Sequence, residues 1–203
     1  MLVMSHTALP ASPIAGLRTI ELGAGCEPLL QRFFEANPLY FMTTHGESAR
    51  PNEAHEEIHD AMPAGWAFTK KWVIGYLDAN DDVVALANVV TDLLAPGVWH
   101  IGTFIVATSR HGTGEAQVLH RGLEEWARAN GARWLRLGVV VGNRRGERFW
   151  EQLGYVETRK REGVEMGKLK NTLRVMVKPL DDNTLDAYLA RIERDRPDVS
   201  ATR

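Results

Sequence analysis

Chemistry is most concentrated in six consecutive residues, Ser109-Arg110-His111-Gly112-Thr113-Gly114, ahead of an amphipathic stretch that begins near Glu115. Two glycines one residue apart let backbone approach a ligand closely. The helix start behind them offers unpaired N–H groups and a partial positive charge, and such a place binds phosphate. The same Gly-x-Gly also suits an ordinary helix-entry turn, and Arg110 and His111 do not by themselves separate the two.

Three other groups invite a chemical reading. His55-Glu56-Glu57-Ile58-His59 matches the His-Glu-x-x-His pattern that puts two imidazoles on one helix face around zinc. Asn52, Glu53, Glu57 and Asp60 make that stretch a solvated face, and no third ligand follows it, so no metal is expected and zinc hydrolysis is kept as a rival reading. Gly23-Ala24-Gly25 opens like a dinucleotide fingerprint, but Pro28 takes the third glycine position, which leaves a tight turn. Cys26 is the one cysteine; it excludes an intramolecular disulfide and reads as a plain thiol.

The elements around the glycine loop are bounded by clear signals. Residues 98–106 form a strand that runs into it, and 114–130 a helix with Leu119, Leu123, Trp126 and Ala127 on one face and Asn130-Gly131 as its stop. Residues 134–141 form an apolar strand, and 143–153 a short helix stopped by Gly154. Upstream, the patterning predicts a strand at 14–22, a helix from Glu27-Pro28 to about 36 halted by Asn37-Pro38, a polar stretch at 43–51 and a helix at 52–61. Strands at 72–77 and 83–90 flank a turn-rich 78–82, which makes them antiparallel neighbours. Closing strands are expected at 155–161 and 171–177, then a polar helix at 184–194 striped by Leu185, Tyr188, Leu189 and Ile192.

Residues 99–157 (WHIGTFIVATSRHGTGEAQVLHRGLEEWARANGARWLRLGVVVGNRRGERFWEQLGYVE) resemble the acetyl-CoA core of the GNAT N-acetyltransferase superfamily. Gly112 and Gly114 fall on its Gln/Arg-x-x-Gly-x-Gly/Ala signature, Asn143 on the Asn after the fifth strand, and Phe149-Trp150 with Leu153-Gly154-Tyr155 on the second cofactor motif. With residues 14–90 as leading strand, two helices and hairpin, the resemblance covers about 165 residues. It implies an α+β, three-layer fold: a mixed, mostly antiparallel sheet of about six or seven strands, splayed between the fourth and fifth, with helices on both faces. The pantetheine arm of acetyl-CoA would lie in that gap against the backbone of Phe104, Ile105 and Val106, with Asn143, Phe149 and Trp150 beside it. The pyrophosphate would lie over Arg110, His111, Gly112, Thr113, Gly114 and Glu115. An amine would attack the thioester directly, without a covalent enzyme intermediate, helped by a backbone N–H near Val106 and needing no metal.

Departures from the family pattern are specific. Ser109 stands at the usual Gln/Arg position, the loop from Val106 to Gly112 is about two residues short, and Gly146 replaces a common Ala at some cost to the helix. Trp150 stands where many members have the Tyr that protonates the departing thiolate, and indole has no such proton to give. Tyr155 is the replacement candidate. His100 is the candidate base, with Asp92 or the acids of 53–60 acting through water as alternatives. For both His100 and Tyr155 the competing use is packing.

The 203 residues are 44% hydrophobic and 25% charged, enough for one soluble domain with a real core. No apolar run spans a membrane and no signal peptide is evident, so the expected location is the cytoplasm. A formal charge of -2 gives no reason to expect nucleic acid or a membrane surface as a partner. Residues 1–100 nevertheless carry 5 basic and 12 acidic side chains, and residues 101–203 carry 19 and 14. The basic half holds the cofactor loop. The acidic half holds the 37–65 region, which resembles a bacterial subgroup of general acetyltransferases and points to the amine of a small molecule or peptide. There Glu53, Glu56 and Glu57 are expected to attract a protonated acceptor. The chain thus divides into a flexible leader at 1–13, the GNAT domain at 14–180 and a helical appendage at 181–203, whose packing in cis or across a homodimer stays open. An acyl-CoA sensor without turnover is the alternative to an enzyme.

Overall fold

A computed structural model describes residues 8–197. Seven strands, β1 (Arg18–Glu21), β2 (Lys70–Leu77), β3 (Val83–Thr91), β4 (Val98–Val106), β5 (Trp134–Val140), β6 (Val156–Met166) and β7 (Leu169–Pro179), form one sheet in the order β1-β2-β3-β4-β5-β7-β6. Every pairing is antiparallel except β4 with β5. The helices are α1 (Glu27–Ala36), α2 (Pro38–Thr44), α3 (Glu53–His59), α4 (Glu115–Ala129), α5 (Arg144–Gln152) and α6 (Leu185–Arg191). No helix among the described residues is long and apolar enough to cross a membrane.

Strand alternation distributes the core over two faces. Trp72, Ile74 and Tyr76 of β2 pack with Leu119, Leu123 and Trp126 of α4, whereas Val73 and Leu77 pack with Leu30, Phe33 and Phe34 of α1 and Ala54 and Ile58 of α3. On β4 this alternation changes phase. Asn88 of β3 opposes Thr103 and Val89 opposes Ile101, so Gly102 is an extra, bulged residue. Trp99 and Ile101 face α4 before the bulge, and Phe104 and Val106 face it afterwards. Ile105 therefore packs on the α1–α3 side.

Local signals explain the element ends. Asn143 caps α5 by accepting from the Gly146 N–H at 3.1 Å. Asp78 accepts from the N–H groups of Asn80 (2.9 Å) and Asp82 (3.2 Å) and closes the β2–β3 turn. Asn37-Pro38 ends α1 at Ala36 as expected, and Pro38 also opens α2, a helix the sequence did not suggest, because proline's missing N–H costs nothing in a first turn. The first strand is shorter than expected, β6 runs five residues past 161 to Met166, and β7 spans Leu169–Pro179, two residues longer than expected at each end, so the two form a long hairpin.

Both chain ends of the described structure are packed. The expected leader lies outside the described residues up to position 7, but from Ala8 onward it is held: the Ala8 carbonyl accepts from Trp126 Nε1 at 2.6 Å and the Pro10 carbonyl from Thr19 Oγ1 at 2.7 Å. At the other end Tyr188 and Ile192 pack in cis on Val98, Trp134 and Val177. Below them Arg136 of β5 makes a two-pronged ion pair with Asp195, Nε to Oδ2 at 2.6 Å and Nη2 to Oδ1 at 3.0 Å, and the Tyr188 hydroxyl donates to the same carboxylate at 2.5 Å. The two charged side chains are 3% and 0% exposed.

Burial alone would raise the Asp195 carboxyl, but the bonds from Arg136 and Tyr188 outweigh it and hold the group below the ordinary carboxylate range. A depressed carboxyl stabilises the fold above its unfolded value and loses that contribution as pH falls through the folded one. Asp195→Ala is expected to lower the urea-derived unfolding free energy by about 3–5 kcal/mol at pH 7, because Arg136 is left buried and unpaired. A loss below about 1 kcal/mol would mean that the C-terminal segment is not part of the structural core.

Candidate functional site

The parallel ladder between β4 and β5 is short. It runs from Val98 opposite Trp134 to Ile101 opposite Leu137 and stops. Beyond it β4 stays on β3 and β5 stays on β7, so the sheet opens. The opening is a cleft of about 920 Å³, walled by Gly102, Phe104, Ile105 and Val106 on one side and Gly138, Val139 and Val140 on the other. On its β5-facing side the edge of β4 past Ile101 has no strand partner, and such an edge can bond an extended ligand as it would another strand.

The glycine loop closes one end. A 3-10 turn over Thr108–Arg110 leads into it, and Gly112 and Gly114 adopt φ of 83° and 85°, which L side chains rarely adopt. A Cβ at either would meet nothing within 4 Å, so conformation and approach by a ligand, not internal crowding, favour glycine. The loop is fixed from behind. Asn37 Oδ1 accepts from the Thr108 N–H at 2.7 Å, His111 Nε2 donates to the Val106 carbonyl at 2.8 Å, and Thr113 Oγ1 donates to the Arg110 carbonyl at 2.8 Å. Arg110 is ion-paired with Glu115 at 2.8 Å. Arg144, Arg145 and Arg148, which line the cleft from α5, make no ion pair among the described residues, and neither does Arg161 of β6, which lines it further along. Sequence reasoning passed over them, although two arginines directly after a helix-capping Asn were a visible signal.

The other end is acidic. A second cavity of about 470 Å³ lies between α3 and the tip of the β6–β7 hairpin and meets the cleft at Met166, which lines both. The hairpin tip is held there by Lys168 N–H to the His45 carbonyl (2.8 Å) and Asn171 Nδ2 to the Thr44 carbonyl (2.8 Å). Glu57 reaches inward, accepting from Asn88 Nδ2 at 2.6 Å and from Thr103 Oγ1 at 3.1 Å. Burial pushes its carboxyl up against the pull of those two bonds. Tyr40, on the cleft wall nearby, is likewise raised by burial and then by the Glu57 charge. Glu53 and Glu56 are partly neutralised by Arg50, with Nε to the Glu53 carboxylate at 2.9 Å and Nη2 to Glu56, which also accepts from Asn52.

Of the residues singled out in the sequence, Phe104, Ile105, Val106, Arg110, His111, Gly112, Gly114, Asn143, Phe149 and Trp150 line the one cleft. Thr113 in the loop and Glu115 at the start of α4 do not line it. Glu53, Glu56 and Glu57 line the acidic cavity. Tyr155 does not reach the cleft: it is 3% exposed, its hydroxyl is 2.9 Å from His120 Nε2, and its ring packs on Trp150. His100 does line the cleft. Its Nδ1 lies 3.1 Å from the Arg136 carbonyl and 3.2 Å from Arg136 Nη1, and it can donate to the first or accept from the second, not both. Burial and then the Arg136 charge push this imidazole down to about 3, which makes it a poor proton acceptor at neutral pH. The thiol of Cys26 is free and part-buried.

Comparison with known proteins gives a consistent result. Residues 30–155 match the family model described as the acetyltransferase (GNAT) family. No curated protein matches the sequence. An acetyltransferase from Thermus thermophilus is similar in structure with 18% identity and a TM-score of 0.63, over 81% of this chain and 97% of that one. Spermidine N-acetyltransferase from Vibrio cholerae, in complex with CoA and spermine, is 17% identical with a TM-score of 0.59, over 82% of this chain and 96% of its own. An Escherichia coli enzyme that acetylates the alanine of a ribosomal protein is 12% identical with a TM-score of 0.59, over 84% and 97%. At these identities the structural likenesses speak to the fold.

An imidazole depressed in the folded state binds fewer protons than in the unfolded chain between pH 3 and 6.5, so acidification through that window costs stability. The His100 ring resonances are expected to stay constant in an NMR titration from pH 8 to 5, assigned by their loss in His100→Gln. A midpoint near 6.5 would show instead that the ring is solvated and free to act as a base.

Proposed function

Because the chain belongs to the GNAT acetyltransferase family, we propose that it transfers acetyl from acetyl-CoA to the primary amine of a small molecule or peptide by direct attack in a ternary complex. The observation that carries this reading is one cleft with opposite chemistry at its two ends. A strand edge and an N–H-rich, arginine-lined loop suit an anionic, extended ligand, and a carboxylate-lined cavity opens at the far end. Acetyl-CoA, when bound, supplies the thioester whose carbonyl the amine attacks.

The chain's own residues have distinct tasks in this scheme. The β4 edge over Phe104, Ile105 and Val106 holds the pantetheine amides, and an N–H near Val106 is the donor for charge developing on the carbonyl oxygen. Gly112 and Gly114 at the start of α4, with Arg144 and Arg145 across the cleft, hold the phosphates. Glu57 is the carboxylate that docks the cationic acceptor: Asn88 and Thr103 orient it, and Lys71, the nearby cation, is held on the Glu57 and Asp60 carbonyls without an ion pair to the Glu57 carboxylate. The proton released on attack leaves into that acidic, water-open end. Neither Trp150 nor the enclosed Tyr155 hydroxyl offers a proton to the cleft, so protonation of the departing sulfur falls to solvent. Glu56, held by Arg50 and Asn52, is not free to serve as the base that zinc hydrolysis through His55 and His59 would require.

Acetyl-CoA at 100 times its dissociation constant is expected to raise the melting temperature by about 5–10 °C, and Gly112→Glu to abolish the shift. An unchanged shift in the variant would move the phosphate site elsewhere. In a thiol-release assay across amines, polyamines, amino sugars and peptides, Glu57→Gln is expected to raise KM for a cationic acceptor about tenfold while acetyl-CoA affinity stays the same. Glu53→Gln and Glu56→Gln should do less, being paired already. Tight acetyl-CoA binding with no acceptor in the panel above hydrolysis would replace the enzyme reading with that of an acyl-CoA sensor.

A further inference from the structure

The His-Glu-x-x-His pattern on α3 acquires a third group that sequence order hid. Glu27 opens α1, 28 residues before His55, and the fold brings its carboxylate to the two imidazoles. One ligand atom from each of Glu27, His55 and His59 lies within 4.8 Å of the others. The two rings are 4.5 Å apart between centroids, and His59 Nε2 is 2.6 Å from Glu27 Oε1. This cluster faces solvent on the outer side of the α1–α3 layer and takes no part in the cleft.

The arrangement is set by the core and not by the surface side chains themselves. Ala54 and Ile58 are buried in the same cluster as Leu30, Phe33 and Phe34 of α1. His55 and His59 each follow one of those buried residues, so the four-residue spacing that docks α3 also aligns the imidazoles beside the start of α1. The helices are further tied by Gln31, whose Oε1 accepts from the Ala54 N–H at 3.1 Å and whose Nε2 donates to the Arg50 carbonyl at 2.9 Å. The Glu27 carboxylate is itself oriented, its Oε2 accepting from the Gly25 N–H at 2.7 Å. A backbone donor to the second oxygen of a ligating carboxylate is the kind of outer contact that steadies metal ligands.

We propose that Glu27, His55 and His59 form a binding site for a first-row divalent cation of the zinc type that bridges α1 and α3 at the protein surface. Two imidazoles and one carboxylate are a donor set zinc accepts, with water in the fourth position. Tetrahedral coordination needs ligand atoms about 3.3 Å apart. The present spacings reach that by small side-chain rotations, with the ion standing where the Glu27–His59 hydrogen bond now lies. The ion adds no hydrolytic centre, because Glu56 is engaged by Arg50 and Asn52. It joins two helices of the layer whose inner side carries Glu57.

The test uses the full chain freed of any affinity tag and of metal, with Zn2+ as the probe in competition against a chromogenic chelator. One equivalent is expected to bind. Glu27→Gln is expected to weaken it about tenfold or more, and the His55→Ala/His59→Ala pair to abolish it. Co2+ substitution in the unmutated protein should give the visible d–d bands of a low-symmetry four-coordinate site, a readout that needs no variant. Zn2+ should also raise the melting temperature of the unmutated protein and not that of the double variant. Binding no tighter than in the double variant, or unaffected by Glu27→Gln, would overturn the site, as would an octahedral Co2+ spectrum. Equal far-UV circular dichroism is expected for all three metal-free proteins, since both histidines are exposed and none of the three side chains lies in the core.

Discussion

The molecule depends on two events that coincide on β4. Its ladder with β5 ends at Ile101, and its register against β3 slips at Gly102. The first event leaves a strand edge bare within a sheet, normally an invitation to unwanted pairing, and here encloses it between two helices and a loop. The second turns the side chains past the bulge over, so that Thr103 faces α3 and reaches Glu57 while Phe104 and Val106 face α4. Without the extra residue those two sets would exchange faces and neither end of the cleft would be furnished.

Charge is arranged by the same geometry. The sequence-level split between an acidic first half and a basic second half becomes spatial because α3 lies at one end of the cleft and α5 and the glycine loop at the other. Many of the charges counted in the sequence are already compensated. Glu53 and Glu56 are answered by Arg50, and Arg110 by Glu115. What distinguishes the ends is the remainder that makes no ion pair among the described residues: Arg144, Arg145 and Arg148 on one side, and Glu57, Asp60 and Glu165, in the cavity that Lys71 also lines, on the other. Net charge by region indicated the direction of the field and overstated its sources.

Legibility from sequence followed the range of the governing interaction. β4, α4, β5 and α5 were bounded to within about a residue because each has a local marker: a strong apolar period, a capping Asn, or a glycine needed at positive φ. The loop glycines were legible on the same grounds, whereas Phe104, Phe149 and Trp150, which pack together on the cleft wall, were assigned to the site through the family resemblance. The Gly102 bulge was not, because a bulge is a property of pairing between strands and leaves no mark on either alone. The tips of β6 and β7 were missed since Gly163 and Gly167 interrupt the short apolar alternation of Val164, Met166 and Leu169. Pro38 marked the stop of α1 correctly and hid the start of α2, since one proline serves both ends. The place of Tyr155 behind Trp150, and the neutral state of His100 over Arg136, depend on packing from distant parts of the chain.

The Arg136–Asp195 pair ties the cleft to a part of the chain that lies far from it in sequence. Arg136 belongs to the strand that forms one wall of the cleft, yet its counter-charge comes from a segment 59 residues further on. A guanidinium destined for the interior has no anion to meet until that segment docks, so the final compaction of the cleft floor waits on it. The ligand-binding wall is thereby completed by residues that belong to neither the sheet nor the helices that line it.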